Sequence, residues 1–66
     1  MDFMTEFNLS KKDSRRLTTI INKIDKYQRL ETKMDFVDCL DLSSELDITD
    51  EQCDEIDDYL RNVVVG

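Results

Sequence analysis

Carboxylates are the side chains of this sequence with the greatest capacity for chemistry. The chain has 66 residues, of which 16 are Asp or Glu and none is His. Histidine is the usual proton-transfer group near neutral pH, and paired carboxylates need a cleft that so short a chain has little volume to form. The sequence also lacks a glycine-rich phosphate loop and a zinc-type set of Cys and His. We therefore predict that the protein is not an enzyme and uses no metal or cofactor.

The acidic run DLSSELDITDEQCDEIDD raises the question of calcium binding. An EF-hand loop needs a central Gly and a terminal Glu, and this run has no Gly. Within it, Thr49 to Gln52 reads T-x-x-Q, a capping box that is typical of a helix start. We interpret the run as a solvated acidic face, and the two cysteines, Cys39 and Cys53, as small packed residues outside any disulfide framework.

Three helices are predicted from apolar residues that recur at steps of three and four. The first spans residues 10–30, the second residues 34–46, and the third begins at Thr49 and continues to Val64. Ser10, followed by Asp13, supplies a cap for the first helix. Because the links 31–33 and 47–49 are short, consecutive helices must fold back on each other. The predicted fold class is therefore all-α, a small three-helix bundle forming one domain over residues 1–66.

The predicted core follows from the same spacing. Its members are Leu17, Ile20, Ile21, Ile24 and Tyr27 in the first helix and Cys53, Ile56, Leu60, Val63 and Val64 in the third. The sequence before the first helix adds a short helical turn or a flap. Three short helices leave some apolar surface uncovered, which we expect at the two ends of the chain, from Phe3, Met4, Phe7, Val63, Val64 and Val65.

Charge is divided unequally along the chain, whose net charge is −7. Residues 1–33 carry a net +3 and residues 34–66 a net −10. A field of one sign on one part of a small protein selects partners of the opposite sign. The leading hypothesis is therefore a non-catalytic interaction module that occupies a basic, nucleic-acid-binding surface of another protein, in the manner of viral host-takeover and anti-defence blockers. The predicted partner-binding residues are Asp38, Asp41, Glu45, Asp54, Glu55, Asp57 and Asp58.

Two alternatives remain open. In the first, the uncovered apolar residues form the interface of a homodimeric structural subunit. In the second, the first helix binds nucleic acid through a basic face that contains Lys11, Arg15, Lys26 and Arg29. A simpler interpretation of these cations is that they confer solubility and pair with the acidic helices. A helix-turn-helix over residues 34–64 is disfavoured because its second helix is acidic and would be repelled by phosphate.

The sequence contains no apolar run long enough to span a membrane, which takes roughly 18 residues or more. Its first ten residues lack the basic and apolar segments of a secretory leader. From these features and the low cysteine content, we expect a soluble protein of the cytoplasm.

Overall fold

The computed structural model describes residues 2–66, which form helices and, within that range, no strand. Five α-helices occur in the order α1 (Phe3–Glu6), α2 (Lys11–Lys26), α3 (Leu30–Cys39), α4 (Leu42–Glu45) and α5 (Asp50–Tyr59). A π-helical turn, Leu60–Val65, continues directly from α5. The all-α prediction is confirmed, and the predicted N-terminal helical turn is α1. Across the described residues, five helices are present instead of the predicted three because α1 adds one and the second predicted helix is divided in two.

The long helix α2 begins where the sequence predicted and ends four residues earlier. The hydroxyl of Ser10 accepts a hydrogen bond from the Asp13 amide at 3.2 Å, which confirms the predicted cap. The helix ends at Lys26, not at residue 30, and its C-cap Tyr27 packs at 5.6 Å against Phe36. Continuing the helix would turn polar residues 28 and 31 towards the core, at the cost of burying groups that water solvates.

The second predicted helix, 34–46, is wrong at its start and in its continuity, while its predicted end at Leu46 is the C-cap of α4. The structure has α3 from Leu30 and a break after Cys39, with α4 following. In one continuous helix Val37 would face away from Leu42 and Leu46, since separations of five and nine residues correspond to rotations of about 140° and 180°. The break at Leu40, whose backbone is extended, lets all three of these side chains enter the core.

The C-terminal π-helical turn changes which valines are buried. Its wider turn pairs the Gly66 amide with the Arg61 carbonyl at 3.2 Å, five residues apart. Residues five apart therefore share a face here, and Val65 follows Leu60 into the core with 8% exposure. Val63, predicted to be buried, is instead 62% exposed. The prediction of an exposed Val65 is wrong for the same reason.

The N-terminal segment closes one side of the core. Phe7 is buried, and its ring lies 5.5 Å from Tyr59 in an edge arrangement, while Phe3 lies 5.9 Å from the same ring. Asn8 turns the chain with a φ of 54°, a left-handed conformation that Asn tolerates better than most residues. The predicted apolar remainder is thus much reduced: of its six residues, only Met4 and Val63 are classed as exposed.

Eleven buried apolar residues form one core cluster. Five of them are fully enclosed and come from α2, α3, α5 and the π-helical turn: Leu17, Ile24, Val37, Ile56 and Leu60. Burying a side chain of this kind stabilises a fold by about 1.5–3 kcal/mol. Within residues 2–66, no helix is long and apolar enough to cross a membrane.

Candidate protein interaction surface

The acidic face of α5 consists of four exposed carboxylates, those of Glu51, Asp54, Glu55 and Asp58. They are three or four residues apart, so they lie on one side of the helix, while Ile56 on the other side is buried in the core. Neighbouring carboxylates at this spacing repel each other. The face is therefore a concentrated negative field on a helix that is anchored from behind.

The start of α5 is fixed by a complete capping box. The backbone N–H of Thr49 donates to Oε1 of Gln52 at 2.9 Å, and the backbone N–H of Gln52 donates to the Thr49 hydroxyl at 3.2 Å. Nε2 of Gln52 also donates to the carbonyls of Phe7 at 2.9 Å and Asn8 at 3.0 Å. One side chain thus caps the helix and ties it to the N-terminal segment, which holds the first carboxylates of the face in place.

Two of the predicted partner-binding residues share one cation within the molecule. Arg61 places Nη1 at 2.6 Å from Asp38 and Nε at 3.0 Å from Asp57. The hydrogen bond that Arg61 donates to Asp38, followed by the one it donates to Asp57, raises the pKa of Arg61 above its ordinary value. The guanidinium joins α3 to α5, and the three groups together carry a net charge of −1 instead of −2.

The predicted residues Asp41 and Glu45 belong to α4 and its cap. Asp41 accepts the hydroxyls of Ser43 at 2.7 Å and Ser44 at 2.8 Å, and the Ser43 bond in particular lowers the pKa of Asp41. Glu45 is exposed at the end of α4, and its carbonyl accepts from Nη1 of Arg16 at 2.8 Å. Neither carboxylate is part of the acidic face of α5.

The half-buried thiol of Cys53 has a raised pKa and lies among carboxylates. Burial is the largest cause that raises the pKa of its thiol, and the charges of Asp54, Asp57, Asp50 and Asp41 raise it further. Helix α4, of which Asp41 is the N-cap residue, packs against α5. The structure brings Asp54, Glu55 and Asp58 together on one helix face, while the other predicted residues lie beside that face.

Glu51 belongs to the acidic face and is absent from the predicted set. Glu51 lies in the first turn of α5, where its charge also complements the helix dipole. The sequence did indicate its membership of the face, because Glu51 precedes the other three carboxylates by three, four and seven residues. The rim of the face continues into a depression of about 330 Å³ between α1 and α5, lined by Thr5, Glu6, Phe7, Asn8, Thr49, Glu51, Gln52 and Glu55.

The opposite charge is displayed by the basic face of α2, which consists of five exposed cations: Lys11, Lys12, Arg15, Lys23 and Lys26. Within residues 2–66 the ion pairs closer than 4 Å are both formed by Arg61, so these five cations are unpaired. The interpretation that they pair with the acidic helices is therefore wrong. Arg29, which was predicted to extend this face, lies beyond the end of α2 and is the N-cap residue of α3.

Metal binding has no support in the described part of the chain. Among residues 2–66, no group of three or more Cys, Asp or Glu side chains is arranged to hold a metal ion. Comparisons with protein-family models, with curated proteins and with solved structures give no match. Inference about function therefore depends on the two charged faces.

Proposed function

We propose that this protein is a non-catalytic interaction module whose acidic face of α5 occupies a basic, nucleic-acid-binding surface of a partner protein. The observation that carries the proposal is the set of four exposed carboxylates of this face, none of which has a cation within 4 Å in residues 2–66. Unpaired charge on a rigid element is available to a partner without first breaking internal bonds.

The spacing of these carboxylates supports mimicry of phosphate. From Glu51 to Asp58 the α-helical rise is about 10.5 Å, so the four charges follow at intervals of about 4.5, 1.5 and 4.5 Å along the axis, on average about 3.5 Å. One strand of duplex DNA carries a phosphate about every 3.4 Å of helix axis. Lys and Arg residues placed to hold a phosphate strand would therefore meet carboxylates at a similar density.

The homodimer alternative has less support because most of the predicted apolar interface is buried within the molecule. Phe7 and Val65 are core residues, and Phe3 and Val64 pack against the core. Interfaces of stable dimers generally need about 1,000 Å² or more of well-packed surface. The free thiols of Cys39 and Cys53 fit a reducing compartment, so we place the proposed partner in the cytoplasm.

The test is affinity capture from a cell lysate with the wild-type protein and with D54N/E55Q/D58N as baits. The expected partner binds the wild type at low salt, is released by added duplex DNA, and is lost with the triple variant. Release by DNA shows that the carboxylates occupy the partner's nucleic-acid site, because both ligands then compete for the same cations.

The matched control is D25N/E31Q/D35N, which also changes the net charge from −7 to −4 but removes exposed carboxylates outside α5. It should capture the partner as the wild type does. If both triple variants lose the partner equally, binding depends on total charge and the proposal fails. It also fails if the captured protein resists release by DNA.

A further inference from the structure

The basic face of α2 has a shape that the proposed function does not use. Its cations form two groups, one in the first five residues of the helix and one in the last four. Arg15 and Lys23, which border the interval between the groups, are about 12 Å apart along the axis at 1.5 Å per residue. That interval equals the 10–12 Å diameter of an α-helix with its side chains.

The interval contains one charged residue, Arg16, whose Nη1 donates to the Glu45 carbonyl at 2.8 Å, and is otherwise neutral with satisfied hydroxyls. Thr18 donates to the Ser14 carbonyl at 3.0 Å and Thr19 to the Arg15 carbonyl at 3.1 Å. Because these hydroxyls are already bonded to the backbone of α2, covering them leaves no donor unpaired. A helix can therefore lie across the middle of α2 with cations on both sides of it.

We infer that the basic face of α2 binds the acidic face of α5 of a second copy of this chain. Charge complementarity within one sequence supports this occupant: five unpaired cations face outward from α2 and four unpaired carboxylates from α5. The inference uses the acidic face of the proposed function, but it does not depend on a foreign partner.

The contact is heterologous, because different faces of the two copies meet. Each copy keeps one free acidic and one free basic face after pairing, so chains of copies can grow. Exposed ion pairs are individually weak and are screened by salt, and each copy carries the same net charge of −7. Association is therefore weak and depends steeply on ionic strength. Where copies are concentrated, the acidic face is covered until a more basic partner displaces the neighbour.

Sedimentation velocity tests the inference directly. At about 50 mM salt the weight-average sedimentation coefficient of the wild type should rise between roughly 20 µM and 1 mM protein, and at about 0.5 M salt it should stay at the monomer value. The variant R15Q/K23Q should remain monomeric at low salt. Its matched control R29Q/K33Q, which also changes the net charge to −9, should associate as the wild type does.

Mixing two defective variants identifies the faces. R15Q/K23Q keeps its acidic face and D54N/E55Q/D58N keeps its basic face, so each should be monomeric alone. Their equimolar mixture should form dimers, and growth should stop there because the two remaining faces are defective. Gln and Asn at these exposed positions should preserve the core, and the circular dichroism spectrum of each variant should match that of the wild type.

Each other outcome overturns the inference. A wild type that stays monomeric at low salt excludes the contact, and capture of a DNA-releasable partner would still stand as support for the proposed function. Variants that associate alone, or a mixture that stays monomeric, assign self-association to other residues. If the wild type is monomeric and binds a fluorescent DNA duplex, and R15Q/K23Q does not bind it, the basic face is a nucleic-acid-binding surface instead.

Discussion

Gln52 is the residue at which local and tertiary structure meet. Its oxygen completes the capping box of α5, and its amide nitrogen bonds two carbonyls of the N-terminal segment 44 and 45 residues away in sequence. The sequence pattern T-x-x-Q explains why Gln is suitable as a cap, but Glu caps equally well. Only Gln offers an acceptor to the cap and a donor to the carbonyls together.

The two cysteines should differ in reactivity. Cys39 is exposed, whereas Cys53 is half-buried and has a pKa raised above 9.0, first by burial and then by neighbouring carboxylates. Since the thiolate is the nucleophile, a maleimide or iodoacetamide reagent at pH 8 should modify Cys39 first. Peptide mass mapping over time measures the two rates.

The pH dependence of Cys53 follows from the sign of its shift. The folded state favours the neutral thiol, so its contribution to stability is complete below pH 9 and declines as the pH rises through the folded-state pKa. The alkylation rate of Cys53 should keep rising above pH 9. Neutralising Asp54 should speed the reaction at pH 8, and an unchanged rate would mean that burial alone controls this thiol.

At the scale of elements, the π-helical turn explains how a helix of ordinary sequence ends with Val65 in the core. Deleting Val63 should convert the turn to an α-helix, since the residues now numbered 60 and 65 would become four apart and still share a face. The deletion removes a side chain that is 62% exposed. We expect the free energy of unfolding in urea to change by no more than about 1 kcal/mol.

Deletion of the exposed residue Glu55 is the matched control. It lies before Ile56 and Leu60, both fully buried, and its loss rotates them by about 100° relative to the start of α5. The expected destabilisation is at least that of losing one buried aliphatic side chain, about 2–5 kcal/mol. If the two deletions cost the same, the turn is not a one-residue insertion into an α-helix.

The helix starts that carry a side-chain cap were predictable from this sequence because caps are local, whereas α3, whose N-cap Arg29 makes no such bond, was predicted to start four residues too late. Ser10 and Thr49 begin their helices as the sequence indicated. Helix ends were not, since the end of α2 depends on Tyr27 meeting Phe36 and the break after α3 on where the core lies. The acidic face follows from a helical wheel alone. The pairing of the predicted partner-binding residue Asp38 with Arg61 could not be predicted, because the two residues are 23 positions apart and meet only when the chain folds.

At the scale of the whole molecule, the acidic face should weaken the fold that displays it. Its four carboxylates form like-charge neighbours at spacings of three and four, each costing about 0.2–0.5 kcal/mol in a helix. D54N/E55Q/D58N removes all four such neighbour pairs, so the variant should be more stable than the wild type by about 1 kcal/mol. Urea unfolding at low salt measures the difference, and added salt should reduce it by screening the repulsion in the wild type.

Opposite responses of stability and binding would separate a functional charge from a solubilising one. The same three substitutions are expected to strengthen the fold and to abolish capture of the basic partner, since both effects come from the same unpaired carboxylates. Added salt should likewise raise the stability of the wild type and weaken its binding to the partner. D25N/E31Q/D35N removes two like-charge pairs of α3, Glu31–Asp35 at a spacing of four and Asp35–Asp38 at a spacing of three, so its stability should move less and its capture should persist. A D54N/E55Q/D58N variant no more stable than the wild type would show that the face is already compensated, and the premise of a free negative field would be wrong.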